Sequence, residues 1–108
     1  MQTEATTVCF AAGHPAFAGH FPGRPMVPGV LLLDAALHAA TQARMRTGNG
    51  QGDALRCQIA SAKFLSPVLP GETLTITCLP TPAGQTRFDI SAGGRQVATG
   101  SFAFESVP

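Results

Sequence analysis

The residues best suited to proton chemistry are few and close together. In the run Gly29-Val30-Leu31-Leu32-Leu33-Asp34-Ala35-Ala36-Leu37-His38-Ala39-Ala40 only Asp34 and His38 are polar, and they stand four apart. On a helix that spacing puts both on one face. A carboxylate set among leucines and alanines loses hydration, which raises its pKa, and a carboxylic acid still protonated near neutrality can act as a general acid. The plainer alternative is an Asp that interacts with the positive helix end or with a core partner, and on an isolated helix that alternative is the stronger. His20 shifts the balance. It lies in Gly19-His20-Phe21-Pro22-Gly23, where the glycines permit a turn and the proline stiffens it. A neutral imidazole accepts a proton. A loop histidine alone is an ordinary surface residue, but one on a rigid loop directly before a helix carrying an acid is rarer. The third part is Pro28-Gly29-Val30, where the unpaired N–H groups of a helix start carry positive partial charge and Gly29 lets a ligand oxygen come close. Taken alone, this is a common Pro-Gly approach to a helix. Together the three parts supply a base, an acid and an oxyanion-type donor. That set suits removal of a proton beside a carbonyl with loss of a β-hydroxyl as water, each acid–base group contributing about 10²–10⁴-fold.

The pattern around these groups shows which elements must hold them. Thr6 to Ala11 reads as a short strand, followed from Gly13 to Gly29 by a segment crowded with glycine and proline. Such a segment is neither a regular helix nor a central strand, yet its prolines make it too stiff for a loose linker. Gly29 to Arg46 reads as a helix, with Pro28 near its first turn, Arg44 and Arg46 in its last turn and Gly48 as its cap. Its apolar residues run nearly all round, which predicts burial on every side. After the loop from Gly48 to Asp53, apolar residues alternate in Leu55/Cys57/Ile59, Leu74/Ile76/Cys78 and Phe88/Ile90/Ala92, and a last strand runs from Gln96 to about Phe104. Short turns between successive strands predict an antiparallel sheet, and one long helix with that sheet curled round it gives the α+β class.

Composition narrows the function classes. The chain has 108 residues, enough for a single domain over 1–108. Seven Lys/Arg against six Asp/Glu give no basic field for nucleic acid and no polybasic membrane patch. No apolar run approaches the roughly 18–20 residues that span a bilayer, and the start Met1 to Thr7 does not resemble a signal peptide. Only 12% of the residues are charged, about half the usual share, so part of the surface is expected to be buried against another chain, most simply as a homodimer. Cys9, Cys57 and Cys78 show no metal-type spacing and read as reduced, buried hydrophobes of a cytoplasmic protein.

The run from His20 to Ala35, His20-Phe21-Pro22-Gly23-Arg24-Pro25-Met26-Val27-Pro28-Gly29-Val30-Leu31-Leu32-Leu33-Asp34-Ala35, resembles the signature of the hot-dog-fold 3-hydroxyacyl-acyl-carrier-protein dehydratases. Pro15 to Gly19 fits the same pattern, and Lys63 to Glu72 resembles that family's second Pro-Gly stretch. The resemblance implies an antiparallel sheet wrapped around one long central helix, in dimers with active sites shared between protomers. It makes His20 the base at the substrate α-carbon, has Asp34 of the partner subunit handle the hydroxyl, and assigns the Gly29 N–H to the thioester carbonyl. Phe21, Pro28, Val30 and His38 would line the substrate. The substrate implied is a (3R)-hydroxyacyl group on the phosphopantetheine arm of acyl carrier protein, the product a trans-2-enoyl thioester, and no metal or redox cofactor is called for. Short dehydratases of this family usually carry Glu at the acid position. Asp34 instead resembles the dehydratase/isomerase branch and the small dehydratases of aryl polyene or polyketide-like pathways. The family's Gln four residues after the acid is here His38, placed to hydrogen-bond Asp34.

Other chemistries have less in the sequence to stand on. His14, His20 and His38 with Asp34 fit no zinc spacing. No G-x-S-x-G elbow occurs, and the glycines from Gly48 to Gly52 come after a helix instead of a strand, unlike a phosphate cradle. Arg24, Arg44, Arg46 and Lys63 read first as solvated charges and second as contacts for an acidic carrier protein. Two further functions stay open beside dehydration: a hot-dog thioesterase, in which Asp34 activates water at the thioester, and a non-catalytic acyl-carrier-binding subunit.

Overall fold

The computed structural model describes residues 4–11, 26–46 and 55–106. The elements run β1 (Glu4–Cys9), α1 (Gly29–Arg46), β2 (Leu55–Phe64), β3 (Thr73–Pro80), β4 (Thr86–Ala92) and β5 (Arg95–Ser106). The strands form one sheet in the order β1-β3-β4-β5-β2, every neighbouring pair antiparallel. β4 and β5 are joined by Gly93-Gly94 at φ 56° and 84°, the positive values that a tight two-residue hairpin requires and glycine adopts without strain. The expected rigid segment between residues 13 and 25 and the loop at 48–53 lie outside the described residues. β1 begins and ends two residues earlier than the expected strand, and just beyond it the Phe10 carbonyl accepts the Gly71 N–H at 2.9 Å instead of continuing the ladder.

The core lies between one face of the sheet and one side of α1. Leu74, Ile76 and Cys78 on β3, Phe88 and Ile90 on β4, and Val97, Ala98 and Phe102 on β5 meet Leu32, Ala36, Ala39 and Ala40 of the helix. Phe88 and Phe102 stack with centroids 4.9 Å apart, and Phe104 lies 6.2 Å beyond Phe102 with the Arg44 guanidinium over its ring. The all-apolar helix is therefore not buried on every side. Val30, Asp34, His38 and Gln42 form an exposed stripe at spacings of four, because α1 rests chiefly on β1, β3 and β4 and none of the described residues covers its other side. The cysteines differ likewise from the expectation: Cys78 is buried, Cys57 is half-buried with burial raising its pKa, and Cys9 is exposed on an edge strand.

An irregularity in β2 re-aims the C-terminal half of that strand. Its pairing with β5 shifts between Ile59 and Ser61, leaving Ala60 as an extra residue. Before this bulge Cys57 and Ile59 stand opposite Phe104 and Phe102, on the face that looks toward the helix. After it Ala62 and Phe64 stand opposite Gly100 and Ala98, on that same face. One inserted residue thus moves the inward positions from odd to even numbers. Beside the bulge, Gly100 leaves no room for a Cβ between the Ser61 carbonyl and the Phe88 ring. Gly100→Ala is expected to cost about 1–3 kcal/mol through overpacking. Urea unfolding monitored by circular dichroism checks this, since the chain has no Trp or Tyr for intrinsic fluorescence.

Candidate active site

The start of α1 is clamped from two sides. Val27 is buried, and its N–H donates to the Val68 carbonyl at 2.8 Å, tying the approach to the helix onto the 65–72 loop. The Pro28 carbonyl accepts the N–H of Leu31 at 3.0 Å and of Leu32 at 3.4 Å, so Pro28 closes the first turn without needing an N–H of its own. The amides of Gly29 and Val30 have no partner among the described residues. The Phe64 ring stands over Gly29, its Cζ 3.1 Å from the point a Cβ would occupy. A Cβ at position 29 would be accommodated only if the Phe64 ring gave way by a few tenths of an ångström.

The 65–72 loop that holds this corner is strapped in turn. The N–H groups of Leu65 and Ser66 donate to the Val97 carbonyl at 2.8 and 3.2 Å, and the Gly71 N–H is held by the Phe10 carbonyl. Arg95 donates to the Pro67 carbonyl at 3.1 Å and to both Glu72 oxygens at 3.1 and 3.0 Å, and the Leu69 N–H donates to Glu72 at 2.8 Å. Hydrogen bonds from Arg95, then from the Leu69 amide, hold the Glu72 carboxyl below its ordinary range.

Of the expected site residues, Val30, Asp34 and His38 lie along the exposed stripe of α1, with Pro28 and Gly29 at its head and the Phe64 ring over Gly29. Asp34 and His38 share a face as their spacing requires, but no hydrogen bond joins them, and neither bonds to any other described residue. The expected Asp34–His38 bond is absent, since both side chains are exposed to solvent. The desolvation expected around Asp34 is likewise not supplied by the described part of its own chain: the leucines next to it in sequence point to other sides of the helix. Val30 is 70% exposed. His20 and Phe21 lie outside the described residues. Sequence reasoning misses Phe64, because the alternation Leu55/Cys57/Ile59 continued without a bulge points it away from the helix. An open groove of about 400 Å³ on the opposite face of the sheet, lined by Ser61, Lys63, Thr81, Arg87, Thr99 and Ser101 among others, contains no acid–base pair.

Residues 2–101 match the ApeI-like family, described as ApeI dehydratase. The chain belongs to that family. A 3-hydroxyacyl-[acyl-carrier-protein] dehydratase FabZ from Thermus thermophilus is 47% identical over 64 residues, covering 57% of this chain and 45% of the relative. FabZ from Chlamydia trachomatis is 36% identical over 97 residues, covering 83% of this chain and 63% of the relative. The chain thus spans about half to three fifths of the length of these curated relatives. Among solved structures, a chain of the dehydratase heterocomplex ApeI:P from Xenorhabdus doucetiae superposes with a TM-score of 0.73 at 22% identity, covering 94% of this chain and 86% of that one. A probable thioesterase from Bartonella henselae superposes with a TM-score of 0.70 at 14% identity, covering 98% of both. The fold shared with these structures is the hot-dog fold, one helix against a five-stranded antiparallel sheet.

The strap around Glu72 gives stability a pH dependence of definite sign. A carboxyl whose pKa is lowered on folding adds stability above its unfolded value, and that stability is lost as pH falls through the folded value. The stability gap between wild type and Glu72→Gln is expected to be full at pH 6–7 and to close as pH falls below the ordinary value of 4.5. Denaturant midpoints measured from pH 7 down to 3 check it; a gap constant over that range assigns the strap to shape and not to charge.

Proposed function

We propose that the protein dehydrates (3R)-hydroxyacyl thioesters on acyl carrier protein to trans-2-enoyl thioesters, as a cytoplasmic homodimer with two shared active sites, in fatty acid or a related polyene or polyketide biosynthesis. The observation that carries the reading is the start and open side of α1, where the amides of Gly29 and Val30 have no partner among the described residues and the acid, Asp34, is exposed. Membership in a dehydratase family gives that arrangement its chemistry. The Gly29 N–H, with the positive helix end behind it, polarises the thioester carbonyl and acidifies the C2 proton. His20, neutral, takes that proton. Asp34 of the partner subunit delivers a proton to the C3 hydroxyl, which leaves as water. The C2–C3 double bond forms from the released electron pair, and solvent exchange returns the proton from His20 to Asp34. Phe21, Pro28, Val30 and His38 line the acyl group. The scheme needs no metal or redox cofactor.

The homodimer is supported by what the single chain leaves uncovered. β2 is an edge strand, and its inward residues Ile59 and Phe64 are 54% and 50% exposed, with Leu65 and Val30 beside the helix start. A long edge with an apolar face is a surface for pairing with another chain. No described helix is long and apolar enough to cross a membrane.

His20→Ala and Asp34→Asn are each expected to lower dehydration by about 10²–10⁴-fold while the assembly stays at roughly twice the 11.1 kDa chain mass. Loss of one water by mass spectrometry and sedimentation of the same samples check both halves; activity retained in either variant removes that residue from the mechanism. Thioesterase neighbours in fold space favour one second reading, hydrolysis with Asp34 activating water. Ultraviolet absorbance of the enoyl product against release of free thiol separates the two. An acyl-carrier-binding subunit without turnover would show neither signal.

A further inference from the structure

From the packing at the helix start, and resting on the dehydratase reading, we infer that Phe64 is a specificity-determining wall: it admits thioesters unbranched at C2 and turns away those carrying a methyl group there. Two of its ring atoms, Cζ and Cε1, lie 3.1 and 3.2 Å from the point where a Gly29 Cβ would stand. Standard bond lengths put that point about 2.5 Å from the Gly29 nitrogen, so the ring edge is within about 6 Å of the donor. A carbonyl oxygen accepting from that N–H at about 2.9 Å holds its carbon roughly 4 Å from the nitrogen. A thioester held there brings the atoms on either side of that carbon, the sulfur and C2, to the same end of the helix as the ring.

The wall is anchored at its backbone and open on its face. Phe64 closes β2 opposite buried Ala98, and the next amide, that of Leu65, is fixed to the Val97 carbonyl at 2.8 Å. The ring itself is half exposed, and with Val30 it gives the helix start an apolar flank. A C2 methyl keeps one C2 proton, so the elimination is still chemically open to such a substrate; what it meets is the ring. One methyl group against an apolar wall is worth about 10- to 200-fold in discrimination.

The test compares kcat/KM for the pantetheine thioesters of (3R)-3-hydroxybutyrate and of both C2 epimers of its 2-methyl homologue, in wild type, Phe64→Ala and Phe64→Trp. Wild type is expected to favour the unbranched substrate at least tenfold. Phe64→Ala should shrink that ratio at least tenfold and Phe64→Trp widen it, the ratio being insensitive to the fraction of folded enzyme. A ratio unchanged in Phe64→Ala overturns the inference while leaving dehydration standing. Wild type that turns over no hydroxyacyl thioester overturns the dehydratase reading instead, and binding then tests the position of Phe64 directly. The chain contains no Trp or Tyr, so F64W introduces its single strong fluorophore. Its emission is expected to shift saturably with crotonyl pantetheine, and an unchanged spectrum to millimolar concentrations removes Phe64 from the site.

Discussion

A curved sheet covers one side of a helix and no more. Here β3, with β1 and β4 beside it, takes Leu32, Ala36, Ala39 and Ala40, and the stripe of Val30, Asp34, His38 and Gln42 is left facing outward. On the far side of the sheet β2 pairs only with β5 and extends beyond the helix, so Ile59 and Phe64 face inward with half their surface uncovered. The helix stripe carries three polar side chains and hydrates readily, whereas the uncovered inward face of β2 is apolar. The acid sits on one of these surfaces. None of the described residues of its own chain covers Asp34.

The donor end of the site depends on a different set of contacts. The helix start is fixed through several segments: Val27 to Val68, the 65–72 loop to Val97, Arg95 to both Pro67 and Glu72. Each hydrogen bond is modest, but together they join β5, the loop and the helix start into one unit. The Phe64 ring completes it by filling the space that the absent Gly29 side chain leaves. Gly29 thus lets an aromatic ring stand close to where its side chain would be, at the head of the helix.

The outer face of the sheet shows what the site is not. There Arg87 is neutralised by Asp89 at 3.0 Å, and Thr99 donates to the same carboxylate at 2.8 Å, so the charges satisfy one another. Such a self-contained polar surface is an ordinary solvated face. The helix side is the opposite case, with donors and an acid left without partners among the described residues.

The order of elements, the antiparallel hairpins of β3, β4 and β5 and the shared face of Asp34 and His38 were legible in the sequence, because they rest on local pattern: alternation in β3 and β4, spacing of four on α1, Gly93-Gly94 between strands. The motif from His20 to Ala35 likewise carried the family. Burial was not legible. The apolar run of α1 reads as a helix enclosed on all sides, yet how much of it a sheet covers depends on strand order and curvature, which no local pattern encodes. The inward turn of Phe64 was hidden for a related reason: a single extra residue at Ala60 reverses the alternation, and only the pairing with β5 reveals it. Sequence determines what each residue can do within a few neighbours; which groups meet, and which remain in water, is decided by contacts between segments far apart in the chain.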